Sequence, residues 1–425
     1  MIEVKIMDIN TAMDYIDKKN KLGIVPGLDN VKELLRRLDN PQDKCRALHI
    51  SGTNGKGSIF AFVEASLIEA GFTVGRYISP TIFEYLERFQ INKINMSEEV
   101  FCRLLERVAG VIEEMEADGY SSPTAFEIET AIAFLHFAER KCDYILIECG
   151  MGGTLDATNV MKRPLVSVIA QISIDHTAFL GDTIDKIAGH KAGIIKKNSL
   201  CVSAPQSEEA EWVLRTVCAK EKTKLIMVDE QDISIEKDEI DGISFSYKGE
   251  KYDISLIGAH QIINAATAIE VLKAIYIDYE FIRSGLHNAE WKGRLTKVCD
   301  KPLMYVDGAH NEAAWLNLKN NVNKYFTNRK IIYIIGVLKD KEYKKMVDIL
   351  CDSMAYAITV TPDTPRALDN YTLAELIRNK GIMVETADTY ENAVRKAFDT
   401  AKDEDVIMVC GSLSFISDYL NMQIS

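Results

Sequence analysis

The stretch Ser51-Gly52-Thr53-Asn54-Gly55-Lys56-Gly57-Ser58 decides how the rest of the chain is read. A short apolar run, Ala47 to Ser51, leads into it, and a segment of helical period from about Ser58 to Ala70 follows. Glycines in such a turn let backbone N–H groups face an anion. The helix start adds its positive dipole, and Lys56 reaches for terminal phosphates. The usual phosphate-binding loop has Ser or Thr directly after the Lys, whereas here Gly57 precedes Ser58. Strand, glycine-rich turn and helix in this order predict phosphate binding in an α/β domain.

On both sides, apolar runs alternate with amphipathic stretches, the pattern of a mostly parallel α/β sheet. Strands are expected at Thr73 to Ile78, Tyr144 to Glu148, Leu165 to Ile172, Leu200 to Ser203 and Leu225 to Val228. Between Ile233 and Ile257 the pattern changes. Two β-rich runs, Ile243 to Tyr247 and Tyr252 to Leu256, flank Lys248-Gly249-Glu250 and predict an antiparallel hairpin. A second α/β series begins after Trp291-Lys292-Gly293-Arg294, with strands at Leu303 to Val306, Ile331 to Ile335, Ala357 to Val360, Met383 to Thr386 and Val406 to Val409. Helices are expected near Glu312 to Tyr325 and Tyr390 to Thr400. The expected division is therefore 1–294, a P-loop-type domain with a small hairpin region, and 295–425, a smaller Rossmann-like domain.

The chain's 425 residues are enough for two or three domains with buried cores. Fifty basic against 63 acidic residues leave a net charge of −13, which argues against a general nucleic-acid binder. An anionic small substrate is still compatible, because local cations can dominate a cleft. No apolar run is long enough to span a bilayer, and Met1 to Asn10 lacks a leader's layout. Nine scattered cysteines include no C-x-x-C pair, so reduced thiols in a cytoplasmic protein are expected.

Polar residues recur where the sheet should end. Glu148 closes an apolar run and opens Glu148-Cys149-Gly150-Met151-Gly152-Gly153-Thr154-Leu155-Asp156-Ala157-Thr158-Asn159. A carboxylate there can hold Mg²⁺ near phosphates, although Glu148 alone reads equally as a solvated strand-end residue. Asp175-His176 follows the next strand, and His176 and His310 are two of only seven histidines.

Together these residues resemble the folylpolyglutamate synthases, and the bifunctional dihydrofolate synthase/folylpolyglutamate synthases, of the Mur ligase superfamily. The resemblance runs from about Gly23 to Phe415. It is carried by Gly52 to Ser58, Ile78-Ser79-Pro80, Thr124-Ala125-Phe126-Glu127, Glu148 to Asn159, Asp175-His176-Thr177 and Lys191-Ala192-Gly193-Ile194. It continues through His260-Gln261 with Asn264-Ala265, Trp291 with Gly293-Arg294, Asp307-Gly308-Ala309-His310-Asn311 and Gly411-Ser412-Leu413. It implies an ATP-dependent ligase that joins L-glutamate to a reduced folate through an acyl phosphate, with Mg²⁺ and a monovalent cation as cofactors.

By the same resemblance, Asn54, Gly55, Lys56, Gly57 and Ser58 with Asn264, Arg294 and Asp307 bind ATP. Ser79, Glu148 and His176 ligate Mg²⁺, joined by Lys191 if carbamylated. Lys56, His176, Lys191 and His310 are the catalytic candidates. Leu28, Asp29, Asn30, Phe126, Leu155, Asp156 and Ala157 form the pterin-substrate surface. Read without the family, Asn264 is a polar residue at a helix start and Arg294 a linker ion-pair partner. The expected protein is a monomer that binds small molecules, with no nucleic acid or membrane partner.

Departures from the family pattern point to the acceptor. Thr81 stands where His is usual, Lys292 where Pro is usual and His190 where an acidic residue is common. Leu28-Asp29-Asn30 replaces a Glu-Arg-containing loop. The altered early loop and Thr81 lie on the pterin side and favour tetrahydrofolate over dihydropteroate, whereas Lys292 removes a fixed φ from the linker and His190 changes the surroundings of Lys191. Another Mur-type amino-acid ligase, of peptidoglycan-precursor or cyanophycin type, and a non-catalytic nucleotide-binding protein are the rival readings. Lys56, Glu148 and His176 argue against the second of these.

Overall fold

A computed structural model describes residues 7–23, 25 and 27–421 of the chain, so part of Met1–Asn10, the stretch read as no leader, lies outside the described residues. Packing divides the chain into two units. One comprises Met1–Ser234, Ser246–Tyr252 and Ile263–Ala289; the other comprises Ile235–Phe245, Asp253–Ile262 and Glu290–Ser425. The main passage thus falls at Ala289/Glu290 rather than 294/295. Two short pieces of the expected N-terminal domain, Ile235–Phe245 and Asp253–Ile262, group with the second unit, because the chain enters that unit and returns twice in and just after the hairpin region.

The first unit is built on an eight-stranded sheet. Its strands are β1 (Arg46–Ser51), β2 (Val74–Tyr77), β3 (Phe89–Ile91), β4 (Ile94–Asn95), β5 (Tyr144–Glu148), β6 (Val166–Ile169), β7 (Leu200–Ser203) and β8 (Lys224–Met227), in the order β4-β3-β2-β5-β1-β6-β7-β8. From β2 to β8 all neighbours are parallel, while β3 and β4 add an antiparallel edge. β5 is buried along its whole length, which is why it reads as a continuous apolar run. The register pairs Tyr77 with Ile147, Ile50 with Glu148 and Ser51 with Ile169. The loops that follow β2, β5, β1 and β6 therefore leave one carboxyl edge side by side, where open α/β sheets bind ligands.

The helix after β1, Lys56–Glu69, is apolar on every side and buried from Ser58 to Leu67. Such a helix needs cover all round. The helix Tyr279–His287 supplies part of it, approaching so closely that a Cβ on Gly285 would lie 2.3 Å from Ser66 Cα.

Three strands, β9 (Ile233–Glu239), β10 (Gly242–Tyr247) and β11 (Glu250–Ile254), form a separate sheet in the order β11-β10-β9. Lys248 (φ 50°) and Gly249 (φ 82°) make the two-residue turn expected of a hairpin. The second unit has a six-stranded sheet of β12 (Thr296–Asp300), β13 (Leu303–Asp307), β14 (Ile331–Ile335), β15 (Tyr356–Thr359), β16 (Val384–Thr386) and β17 (Val406–Cys410). The order is β12-β13-β17-β14-β15-β16, parallel except for β12. Its core is centred on the fully buried Trp315, Tyr333 and Met346.

β6 is shorter than its expected span of Leu165 to Ile172. It ends at Ile169 because the next residues turn from the sheet to the glycine-rich loop, where Gln171 forms a bridge to Asn54. Among the described residues no helix is long and apolar enough to cross a membrane.

Candidate functional site

The glycine-rich loop is held from behind before any ligand arrives. The backbone N–H groups of Thr53 and Asn54 both donate to Gln171 O, at 2.9 and 3.2 Å. Thr53 Oγ1 donates to Ser173 O and accepts from Ser173 N, each at 3.0 Å, and Asn54 Nδ2 donates to Ser173 Oγ at 3.3 Å. Gly55 starts the helix with φ +92°, and a Cβ there would lie 2.3 Å from Asn264 Oδ1. Asn264 is therefore packed on the loop from the second turn of Ala259–Ala274 and is not a helix-start residue. Gln171 carried no signal as a loop support, since the strand was expected to run past it to Ile172, and Ser173 lay just beyond that span.

Lys56 is the first residue of its helix, and its side chain folds back over the loop. Nζ donates to Gly52 O at 3.2 Å and Thr53 O at 3.4 Å, and lies 3.6 Å from Glu148 Oε1. Lys191 approaches the same carbonyl from the helix Ile184–Ala192: it is 3% exposed, and its Nζ donates to Gly52 O at 2.8 Å. Burial, with the nearby Lys56 charge, pushes the Lys191 ammonium down to about 7, against a weaker pull from Cys149, Asp175 and Asp156. The lowering favours the neutral amine, the form that can add carbon dioxide.

Glu148 is 8% exposed, so it is not the solvated strand-end residue that its position alone allowed. A buried hard-oxygen donor 3.6 Å from the Lys56 ammonium at the glycine-rich loop fits Mg²⁺. Among the described residues no three His, Cys, Asp or Glu side chains cluster as a metal cage. Ser79 is half-buried two residues beyond β2, on the same sheet edge as Glu148. His176 is exposed in a left-handed conformation (φ 51°) before the short helix Thr177–Leu180. It stands on a loop seven residues beyond β6, not at the strand's end.

The expected substrate residues separate into two kinds. Leu155 is 51% exposed, and Phe126 is half-buried, stacked on Tyr77 with ring centroids 6.0 Å apart. A Cβ on Gly150 would lie 2.6 Å from Phe126 Cζ, so this glycine leaves the room that the ring occupies. Asp156, in contrast, points inward. It is 6% exposed, with Oδ2 accepting from Met151 N at 2.8 Å and Oδ1 from Thr158 N at 3.0 Å and Thr158 Oγ1 at 2.5 Å. Ala157 is buried beside it. Asp156 thus shapes the loop that carries Leu155. Asp29 and Asn30 open the helix Asp29–Arg37 after Leu28, where a loop was expected. Thr124 and Glu127 form a capping box for Ala125–Glu139, so two residues of the family motif serve the helix that presents Phe126.

In the second unit Asp307 ends β13 and is 8% exposed. Its Oδ2 accepts from Leu295 N at 2.9 Å and its Oδ1 from Ala309 N at 2.8 Å. Burial raises its carboxyl above the usual range, with Arg294 opposing. Arg294 Nη1 donates to Gly293 O at 3.2 Å, and His310 Nδ1 lies 2.8 Å from Gly308 O. The three expected residues are thus gathered on one short segment.

Residues 50–272 match the Mur ligase middle domain, and residues 293–413 match the Mur ligase glutamate ligase domain. The chain is 39% identical to a dihydrofolate synthase/folylpolyglutamate synthase of Bacillus subtilis, over 96% of this chain and 97% of the relative. It is 32% identical to a folylpolyglutamate synthase of Lacticaseibacillus casei, with 97% of each covered. Its fold matches a Mycobacterium tuberculosis folylpolyglutamate synthase complexed with ADP and AMPPCP, with a TM-score of 0.89, 26% identity, and 98% of this chain and 100% of the other covered. It also matches Escherichia coli FolC in complex with DHPP and ADP, with a TM-score of 0.88, 25% identity and 97% of each covered. Two domain matches in the expected order and full-length relatives place the chain in one family: it belongs to the folylpolyglutamate synthases of the Mur ligase superfamily.

Proposed function

We propose that this ATP-dependent glutamate ligase extends a reduced folate, using tetrahydrofolate in preference to dihydropteroate. The observation that carries the reading is the convergence of Lys56, Lys191 and Glu148 on the pre-formed loop beside Asn264. A carboxylate is a poor acylating agent. ATP therefore transfers its γ-phosphoryl group to the folate carboxylate, giving an acyl phosphate and ADP. The amine of L-glutamate attacks the acyl carbon, and the tetrahedral intermediate collapses to the amide and inorganic phosphate.

Lys56 leaves Glu148 to meet the transferring phosphoryl group and offsets its negative charge. Backbone N–H groups of Asn54 to Ser58 cradle the phosphates at the helix start. Ser79, Glu148 and His176 would hold Mg²⁺, which when bound would supply further charge neutralisation at those phosphates. Lys191, as a carbamate, turns a buried cation into an anion that suits a second cation site. Asn264, Arg294 and Asp307 contact ATP, with His310 next to the phosphate or glutamate. Phe126 and Leu155 present the pterin surface. Three of the relatives carry dihydrofolate synthase in their names, so dihydropteroate is the second acceptor to compare.

The test is glutamate-dependent ADP release with tetrahydrofolate, dihydropteroate and a peptidoglycan-precursor acid, with products identified by mass. Extension of tetrahydrofolate in preference to the others is expected. Efficient use of dihydropteroate without extension of any reduced folate would overturn the acceptor ranking.

A further inference from the structure

A buried polar chain lies behind the glycine-rich loop, and the proposed chemistry does not use it. His49, on β1, is fully buried, and its Nε2 lies 2.8 Å from Thr158 Oγ1. Thr158 Oγ1 lies in turn 2.5 Å from Asp156 Oδ1. Asp156 also accepts backbone N–H groups from Met151 and Thr158, an environment that satisfies an ionised, acceptor-only carboxylate. Thr158 Oγ1 reaches two acceptors, Asp156 Oδ1 at 2.5 Å and Cys149 Sγ at 3.6 Å; the much shorter contact takes its one proton, so the Thr158 oxygen accepts from His49. That requires the proton on Nε2.

A second observation agrees. His49 Nδ1 is buried with no hydrogen-bond partner among the described residues. A bare ring nitrogen bears that more cheaply than an N–H donor, since orphaned buried donors are the rarer case. Among the described residues, Cys149 Sγ, 3.2 Å from Nε2, is the only competitor at that atom. If the thiol donated to Nε2, the ring proton would move to Nδ1 and face nothing.

The loop held by this chain touches both halves of the phosphate site. Gly152 O accepts from Ser51 Oγ at 2.5 Å, one residue before the glycine-rich loop. Thr154 donates from N and Oγ1 to His190 O, at 2.8 and 3.1 Å, one residue before Lys191. The loop also carries the exposed Leu155.

We infer that His49 is a positioning residue: as a neutral Nε2–H imidazole it orders the chain His49–Thr158–Asp156, which fixes the Met151–Thr158 loop for the folate acceptor. Its effect on ligation rests on the ligase reading above, whereas the proton order does not. Burial independently holds the imidazole uncharged, pushing it down to about 3.

Thr158→Val removes the relaying hydroxyl at nearly constant volume, and Thr158→Ser keeps it. The Val variant should lose about 10- to 100-fold in kcat/KM for the folate acceptor, the size seen when groups that orient a site's ligands are removed. KM for ATP should stay within about twofold of wild type, and the Ser variant should recover most of the loss. His49→Gln, which keeps a donor near the Nε2 position, should outperform His49→Leu. Nitrogen NMR of the full chain at neutral pH should show His49 as the Nε2–H tautomer. This signal reads the proton order even in a protein that ligates no acceptor, which separates failure of this inference from failure of the ligase reading. An imidazolium or an Nδ1–H signal overturns it, as does a folded Thr158→Val enzyme with wild-type kcat/KM for the folate.

Discussion

The two units solve the end of a parallel sheet in different ways. After β1, the glycine-rich loop is braced through backbone and side-chain bonds to Gln171 and Ser173, which leaves the Lys56 side chain to lie over it beside Glu148. After β13, the charged residue itself is the brace: both oxygens of Asp307 hold backbone N–H groups at Leu295 and Ala309. A charged motif residue at a sheet edge can thus carry chemistry, hold the chain, or do both. What separates the cases is whether neighbouring groups already satisfy the backbone.

This contrast makes Lys56→Ala the variant of largest expected effect. Turnover should fall by about 100-fold or more, the range for removing a group that stabilises transition-state charge, with little change in melting temperature. Asp307→Ala should act in the opposite sense on stability, losing about 2 kcal/mol because two backbone donors lose a charged acceptor. Paired melting curves and rates check this. An unstable Lys56→Ala with normal turnover per folded molecule, or an Asp307→Ala of unchanged melting temperature, breaks the contrast.

Lys191 sharpens it. Lys191→Ala should lower activity, with partial rescue by a small carboxylic acid. Because the amine is pushed down to about 7 in the fold from an ordinary 10.5, carbamate formation, and activity with it, should fall as pH drops below about 7. The unfolded chain binds more protons at this lysine between those two values, so its contribution makes stability rise with pH across that window. Full activity of Lys191→Ala, or a rate that is flat through pH 7, contradicts the assignment.

Gly55→Ala should follow in size. The added methyl would strike Asn264 Oδ1 and force a left-handed conformation on a residue with a Cβ, costing about 1–2 kcal/mol. Weaker ATP binding, seen by titration calorimetry, is the expected readout. The smallest effect on stability belongs to Leu155→Ala, within about 0.5 kcal/mol because the side chain is exposed. Its KM for the folate should nevertheless rise, whereas Asp156→Ala should destabilise the fold.

Much of this architecture was legible in the sequence. β5, β7 and β14 are continuous apolar runs because both faces are buried, and their observed limits coincide with the expected ones. The strands that escaped notice, β3, β4, β9 and β12, are short or half-exposed pieces at or next to sheet edges, where neighbours and not periodicity decide. The glycine-rich loop was readable because its chemistry is local. The burial of Lys191, the inward turn of Asp156 and the link from His49 to Thr158 were not, since each depends on residues about a hundred or more positions apart, or on which way a loop side chain points. Asn264 became interpretable only when packed against Gly55.

The most direct test of the account follows an oxygen atom. Tetrahydrofolate carrying a heavy-oxygen label in its terminal carboxylate is incubated with ATP, L-glutamate and the enzyme, and the released phosphate is analysed by mass. Activation as an acyl phosphate predicts that each inorganic phosphate carries one labelled oxygen from the folate, formed in step with the new amide. Amide formation accompanied by unlabelled phosphate would contradict the proposed chemistry.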